Sequence, residues 1–170
     1  FLPIRPLAGT ANGIASLILN QASFAVEAAL ADALAELLRP LEPEIVAGLP
    51  TLGLPLARAV AERLGHKRYA PFGTSRKFWY DEALSTPLSS ITSPGGSKRL
   101  YVDPRMLPLL RGRRVALVSS GDAGIYALAA LVHELLDTLD RADWNRVRVS
   151  VVPGVSAMQA AAARIGAPLG

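Results

Sequence analysis

The sequence has no cysteine, which removes disulfides and thiolate chemistry and is compatible with a cytoplasmic setting. It has two histidines, His66 and His133, far apart in the chain. They form no metal-ligand cluster, and on helix flanks such residues are more often surface or packing groups. No apolar run is long enough to span a bilayer and no secretory leader is visible, so no membrane partner is expected. Aromatic residues are scarce, at 6%, and are not interleaved with a basic stripe. That ranks small anions above nucleic acid as ligands, and no nucleic-acid partner is expected. A nucleophile elbow, a Walker loop and a GxGxxG turn are all missing. The chain begins at Phe1 rather than Met and stops at Gly170 in mid-pattern, which suggests a fragment.

What is present suits an α/β domain. Hydrophobic residues make up 51% of the 170 and charged residues 19%, a balance that supports a core and argues against disorder. The net charge of +4 is concentrated in Lys98, Arg99, Arg105, Arg111, Arg113 and Arg114. Such a cluster serves a phosphorylated ligand or is a solvated loop, and composition does not choose between them.

Helical spacing and Ala/Leu content predict a helix over Ser23 to Leu38, ended by Pro40. A strand or short helix is expected near Ala15 to Leu19. Ile45 to Leu49 reads as a buried strand. Pro50, Thr51, Leu52 and Gly53 form a turn, and Leu54 to Leu64 a helix capped by Gly65. Lys67 to Ala70 and Arg99 to Val102 read as further strands, with Asp103 to Leu110 a short turn or helix. Residues 73–97 form a Ser/Thr/Pro/Gly-rich stretch, long enough for a lid and in part able to form a hairpin. Phe78, Trp79 and Tyr80 in it could stack on a ligand or anchor the loop to the core. Val115 to Val118 predicts a buried strand, Ile125 to Leu139 a helix and Val147 to Val152 a strand, with Trp144 at the corner between them. Ser156 is a candidate N-cap for a further small-residue helix from Met158 to Ile165. The alternation implies a mostly parallel sheet with ligands at the strand C-termini.

Two loops stand out. Pro50 to Gly53 opens a helix after a strand. Ser119, Ser120, Gly121, Asp122, Ala123 and Gly124 do the same after Val118, placing backbone amides and a helix N-terminus where a polar or anionic ligand binds. Asp122 could touch a cofactor or cap the helix, and Thr51 could likewise act as a cap or in a local turn. Gly48, Gly53 and Gly121 could serve unusual backbone angles.

Residues 1–118 resemble bacterial type I phosphoribosyltransferases. The segments that carry this are RPLAGTANGIASLILNQASF, VAGLPTLGLPLARAVAERLGH, PFGTSRKFWYDEALSTPLSSITSP and KRLYVDPRMLPLLRGRRVALV. The resemblance implies pyrophosphate contacts at Pro50, Thr51, Leu52 and Gly53, and a closing loop from Ser75 to Ser97 with Arg76 and Lys77 as phosphate contacts. It also implies Mg2+ with phosphoribosyl pyrophosphate. Where that family has two adjacent acidic residues after the strand at Val115 to Val118, this chain has Ser119-Ser120-Gly121.

Residues 113–170 resemble precorrin-3B C17-methyltransferase, of the tetrapyrrole methylase family, on RRVALVSSGDAGIYALAALVHELL and RADWNRVRVSVVPGVSAMQAAAARIGAPLG. This implies S-adenosylmethionine beside Ser119, Ser120, Gly121, Asp122, Ala123, Gly124, Ile125 and Tyr126. The same cofactor is implied near Pro153, Gly154, Val155, Ser156 and Ala157, and near Ala167, Pro168 and Leu169. Both families have Gly-Arg-Arg before an apolar strand that is followed shortly by Ser-Ser-Gly, so a join between two genes is expected between Arg113 and Gly121.

The fold expected is a three-layer, phosphoribosyltransferase-like α/β domain with a mostly parallel sheet and a methylase-like β-loop-α-β end. Residues 1–118 and 119–170 would be its two segments, packed as one domain. The function expected by coverage is that of a phosphoribosyltransferase-like protein without its acidic motif. The alternatives are a fragment of a precorrin methyltransferase using S-adenosylmethionine, and an inactive chimera or binding module. The partner expected is a small anionic substrate or S-adenosylmethionine, with homodimerisation left open.

Overall fold

A computed structural model describes residues 4–6, 8–11, 13–15, 18–88, 98–119, 132–133, 136–137 and 147–152. The chain divides into two compact units, Phe1–Ala22 with Ser120–Gly170, and Ser23–Ser119.

In the first unit, β1 (Ile4–Pro6) pairs antiparallel with β2 (Gly13–Ala15), in the register Ile4↔Ala15 and Pro6↔Gly13. A 3-10 turn follows at Leu19–Gln21, so the element expected near Ala15 to Leu19 splits into a strand end and a turn. Val132, His133, Leu136 and Asp137 are helical, inside the stretch where a helix was expected.

The second unit holds the main sheet. Helix α1 (Phe24–Leu38) starts where Ser23 accepts a hydrogen bond from the Val26 amide at 3.4 Å, a serine N-cap. It buries Ala31, Ala35 and Leu38. After β3 (Ile45–Gly48), α2 (Gly53–Arg63) buries Leu56, Ala57, Val60 and Ala61, an i, i+1, i+4, i+5 stripe. The helices pack together, and Arg63 ties them. Its guanidinium pairs with Asp32 of α1 and donates to the carbonyls of Ala28 (3.2 Å) and Ala59 (3.1 Å).

The remaining strands are β4 (Ala70–Gly73), β5 (Ser85–Leu88), β6 (Lys98–Val102) and β7 (Val115–Val118). A one-turn helix α3 (Leu107–Leu110) precedes β7. The sheet order is β5-β6-β4-β3-β7. β3 pairs in parallel with β4 and β7, whereas β6 is antiparallel to β4 and β5. The register Val46↔Ala116 and Gly48↔Val118 puts these four residues on one face, and Ile45 and Ala47 on the other with Ala70. The first face carries α2: a Cβ on Gly48 would lie 2.8 Å from that of Ala57. On the second, Phe72, Leu109 and Leu110 pack against Ile45, Ala47 and Ala70. No helix among the described residues is long and apolar enough to cross a membrane.

Several expectations change. The architecture is mixed α/β; the three-layer, mostly parallel arrangement of a phosphoribosyltransferase is not what the sheet shows. Among the described residues two of its four pairings are antiparallel: β6 runs against β4, and part of the 73–97 stretch supplies β5, which runs against β6. The strand expected at Lys67 to Ala70 begins only at Ala70. The exit from α2 consumes the intervening residues: the His66 amide donates to Ala61 (2.9 Å) and the Gly65 amide to Glu62 (3.1 Å), a Schellman cap with Gly65 at φ +81°. Val147 to Val152 alternates as a strand would but is not paired into one. Gly48 and Gly53 do not take the left-handed backbone angles invoked for them; they allow close approach. A Cβ on Gly53 would sit 2.6 Å from the Val118 carbonyl oxygen and 3.0 Å from the Ser119 Cα.

At the opposite end of the β3–β7 pair, the Glu44 amide donates to the Arg114 carbonyl at 2.8 Å. The Glu44 carboxylate accepts from the Arg114 amide and from the Arg113 guanidinium, each at 2.9 Å. The backbone bond first, then the Arg113 side chain, holds the Glu44 carboxyl below its ordinary pKa.

Two outcomes follow from this packing. Gly53→Ala pushes α2 away from β7 and is expected to cost about 1–3 kcal/mol in urea unfolding; an unchanged midpoint would show that the helix shifts freely. A folded-state pKa below the unfolded one means the unfolded chain binds more protons as pH falls. The stabilisation by Glu44 is therefore present above the ordinary carboxylate pKa and lost as pH drops through the folded value. Glu44→Gln should flatten the fall in urea midpoint between roughly pH 5 and pH 3, and an unaltered acid limb would remove Glu44 as its source.

Candidate functional site

The C-terminal ends of β3 and β7 lie side by side and are continued by Leu49 and Ser119. The Leu49 amide donates to the Val118 carbonyl at 3.0 Å, extending the pairing one residue past the strands. The chain then turns through Pro50, Thr51 and Leu52, and α2 starts at Gly53. Because Gly53 has no side chain, the first turn of α2 seats against Val118 and Ser119. Two loops separated by more than sixty residues in the sequence thus meet at one sheet edge, where ligands of open α/β sheets bind.

The first turn of α2 has no side-chain cap and no acidic residue. Thr51 therefore does not act as the cap considered for it; its carbonyl accepts from the Leu54 amide at 3.4 Å. Pro50 has no amide hydrogen to give. No ionisable side chain occurs in Leu49–Gly53 or at Ser119. This edge offers backbone dipoles and hydroxyls, which can hold a polar group but cannot transfer protons.

The other sequence-predicted residues divide clearly. Arg76 pairs with Glu82 at 3.0 Å, beside exposed Ser75 and Lys77, so its charge is committed within its own loop. Of the two readings considered for the aromatic trio, Trp79 and Tyr80 follow the anchoring one. Tyr80 stacks on buried Tyr101 at 5.7 Å, and the Trp79 indole donates to Asp103 at 3.1 Å; both anchor the loop. Phe78 meets Trp79 edge to face at 4.8 Å and is 97% exposed. Of the residues assigned to S-adenosylmethionine, Ser119 is half-buried at the end of β7. Those from Ser120 to Tyr126, from Pro153 to Ala157 and from Ala167 to Leu169 lie outside the described residues, as do the Asp122 and Ser156 caps and Trp144. His133 is exposed, whereas the Nε2 of His66 is buried without a hydrogen-bond partner. Among the described residues no three acidic or histidine side chains group to hold a metal ion.

Sequence reasoning missed the Gly53 contact with β7, because nothing in a single sequence pairs position 53 with position 118. It also missed the Glu44 clamp, whose only trace is the Gly-Arg-Arg run before the strand.

Comparison with known proteins locates the similarity at the C-terminal end. The chain is 52% identical over 59 residues to the precorrin-3B C(17)-methyltransferase of a Sinorhizobium species, covering 35% of this chain and 23% of that protein. It is 50% identical over 60 residues to the cobalamin biosynthesis protein CobIJ of Mycobacterium tuberculosis, covering 35% and 11%. Against the probable cobalt-factor III C(17)-methyltransferase of Salmonella typhimurium the figures are 52% over 58 residues, 34% and 22%. The chain therefore spans less than a quarter of the length of these relatives. None of them is a phosphoribosyltransferase, and the resemblance of residues 1–118 to that family finds no support here. Residues 101–170 match the tetrapyrrole (corrin/porphyrin) methylase family, so the part of the chain that begins inside β6 and includes α3 and β7 is similar to the methylases.

Proposed function

We propose that residues 119–170 carry part of the cofactor surface of an S-adenosylmethionine-dependent methyltransferase, of the type that methylates C17 of a cobalamin precursor. The observation that carries this reading is the family match over residues 101–170, which contains the Ser119-Ser120-Gly121-Asp122-Ala123-Gly124-Ile125-Tyr126 run. S-adenosylmethionine supplies a methyl group on a sulfonium, and its transfer to carbon needs alignment and exclusion of water rather than a covalent nucleophile. Ser119 to Tyr126, with Pro153 to Ala157, would hold the cofactor's polar groups through backbone amides and hydroxyls. The absence of ionisable side chains in the turn beside Ser119 suits a reaction without a proton relay. Phosphoribosyl transfer is not carried forward. Its acidic pair would have to follow Val118, and Ser119 and Ser120 stand there, so ribose hydroxyls meet no carboxylates.

Titration calorimetry on the full 170-residue chain tests this reading. Saturable binding of S-adenosylmethionine is expected, weakened about tenfold or more by Gly121→Val at an unchanged urea midpoint. Phosphoribosyl pyrophosphate with Mg2+ should give no heat. Silence with S-adenosylmethionine, at concentrations that saturate a full-length relative, would refute the proposal.

A further inference from the structure

The edge of the sheet opposite Pro50–Gly53 carries a second candidate site. The residues between α2 and β4, together with the outer flank of α2, line a cavity of about 510 Å³. That volume is within the range of small-molecule sites. Its lining is apolar at Ala61, Pro71, Met106 and the ring of Tyr69, and charged at Arg58, Glu62, Lys67 and Arg68.

The charge balance is unequal. Arg58 is spent on Glu62, at 3.0 Å along α2. Lys67 and Arg68 make no ion pair among the described residues, so two cations face one cavity without counter-charges. The C-terminal end of a helix ordinarily repels an anion. Here the last carbonyls are already taken, by Leu64 on Val60, His66 on Ala61 and Gly65 on Glu62. His66 completes the wall, and its buried Nε2 is committed to no partner.

A second cavity of about 450 Å³ shares Arg58, Glu62 and Tyr69 with the first and continues past Leu54, Pro55 and Ala59 toward Glu27. The groove therefore carries Lys67 and Arg68 at one end, the Arg58–Glu62 pair and the Tyr69 ring where the two cavities join, and Glu27 at the other end. A bare inorganic ion would use only one end of it.

We infer that this groove on α2 binds a small amphipathic anion, an aromatic or aliphatic body bearing a phosphate or carboxylate, with the anionic group at Lys67 and Arg68 and the body along Tyr69 and Met106. The anionic end of the groove lies between the exit of α2 and the start of β4, and its other end reaches Leu54 and Pro55 in the first turn of α2.

Calorimetry at low ionic strength with three probes decides it: phenyl phosphate, inorganic phosphate and phenol. Phenyl phosphate is expected to bind saturably, about tenfold more tightly than either part alone. The Lys67→Ala/Arg68→Ala double variant should weaken it about tenfold at an unchanged urea midpoint. If that variant shifts the midpoint, Lys67→Gln at an exposed side chain takes its place, with a loss of about threefold. Equal affinity for phenyl phosphate and inorganic phosphate would reduce the site to nonspecific charge attraction and overturn the proposal. Affinity unmoved by the substitutions, or no saturable binding, would do the same.

Discussion

The parallel pairing of β3 with β7 is the constraint on which the rest of the second unit depends. It closes a loop from Gly48 to Val115, and that closure costs chain entropy before any contact returns it. Hydrogen bonds hold it at both ends. Glu44 grips the backbone and the Arg113 side chain where the pair begins, and the Leu49 amide reaches the Val118 carbonyl where it ends. Between these, Val46, Ala47 and Val118 are almost wholly removed from solvent. The helices then fit onto a surface the pairing has created, with α2 resting on Gly48 and β7, and α1 resting on α2.

The same pairing spans the boundary of the family match. β7 and α3 lie inside residues 101–170, whereas β3, β4 and both longer helices lie outside them. One sheet is therefore built from a strand with methylase similarity and strands without it. Across the pairing Ile45, Val46, Ala47 and Gly48 stand opposite Val115, Ala116, Leu117 and Val118, and Gly53 lets the first turn of α2 seat against Val118 and Ser119.

Much of this arrangement was legible in the sequence where local signals agree. α1 has a serine cap, helical spacing and a terminating proline. β3 and β7 are short apolar runs ended by turn residues. Legibility failed where a partner outside the window decides the outcome. Lys67 to Ala70 looks as strand-like as Ala70 to Gly73, and the Schellman exit from α2 selects the latter. Val147 to Val152 alternates at its start, yet it forms no strand, because alternation by itself makes no ladder. For the candidate site, the turn at Pro50 to Gly53 and its neighbour Ser119 were visible as loops, but their meeting was not. The mistaken reading of Gly48 and Gly53 as angle-adopting glycines shows the limit most clearly. A single sequence reveals that a side chain is absent, and the fold reveals what fills the space.

The Val118 carbonyl combines these strands of argument. It accepts a hydrogen bond from Leu49 and also forms the wall that forbids a side chain at position 53. Leu49, Gly53 and Val118 therefore do not vary independently. Changes at any two of them should be thermodynamically coupled rather than additive. A displacement of α2 at Gly53 would loosen the Leu49 amide, so its hydrogen exchange would report on a helix it does not belong to.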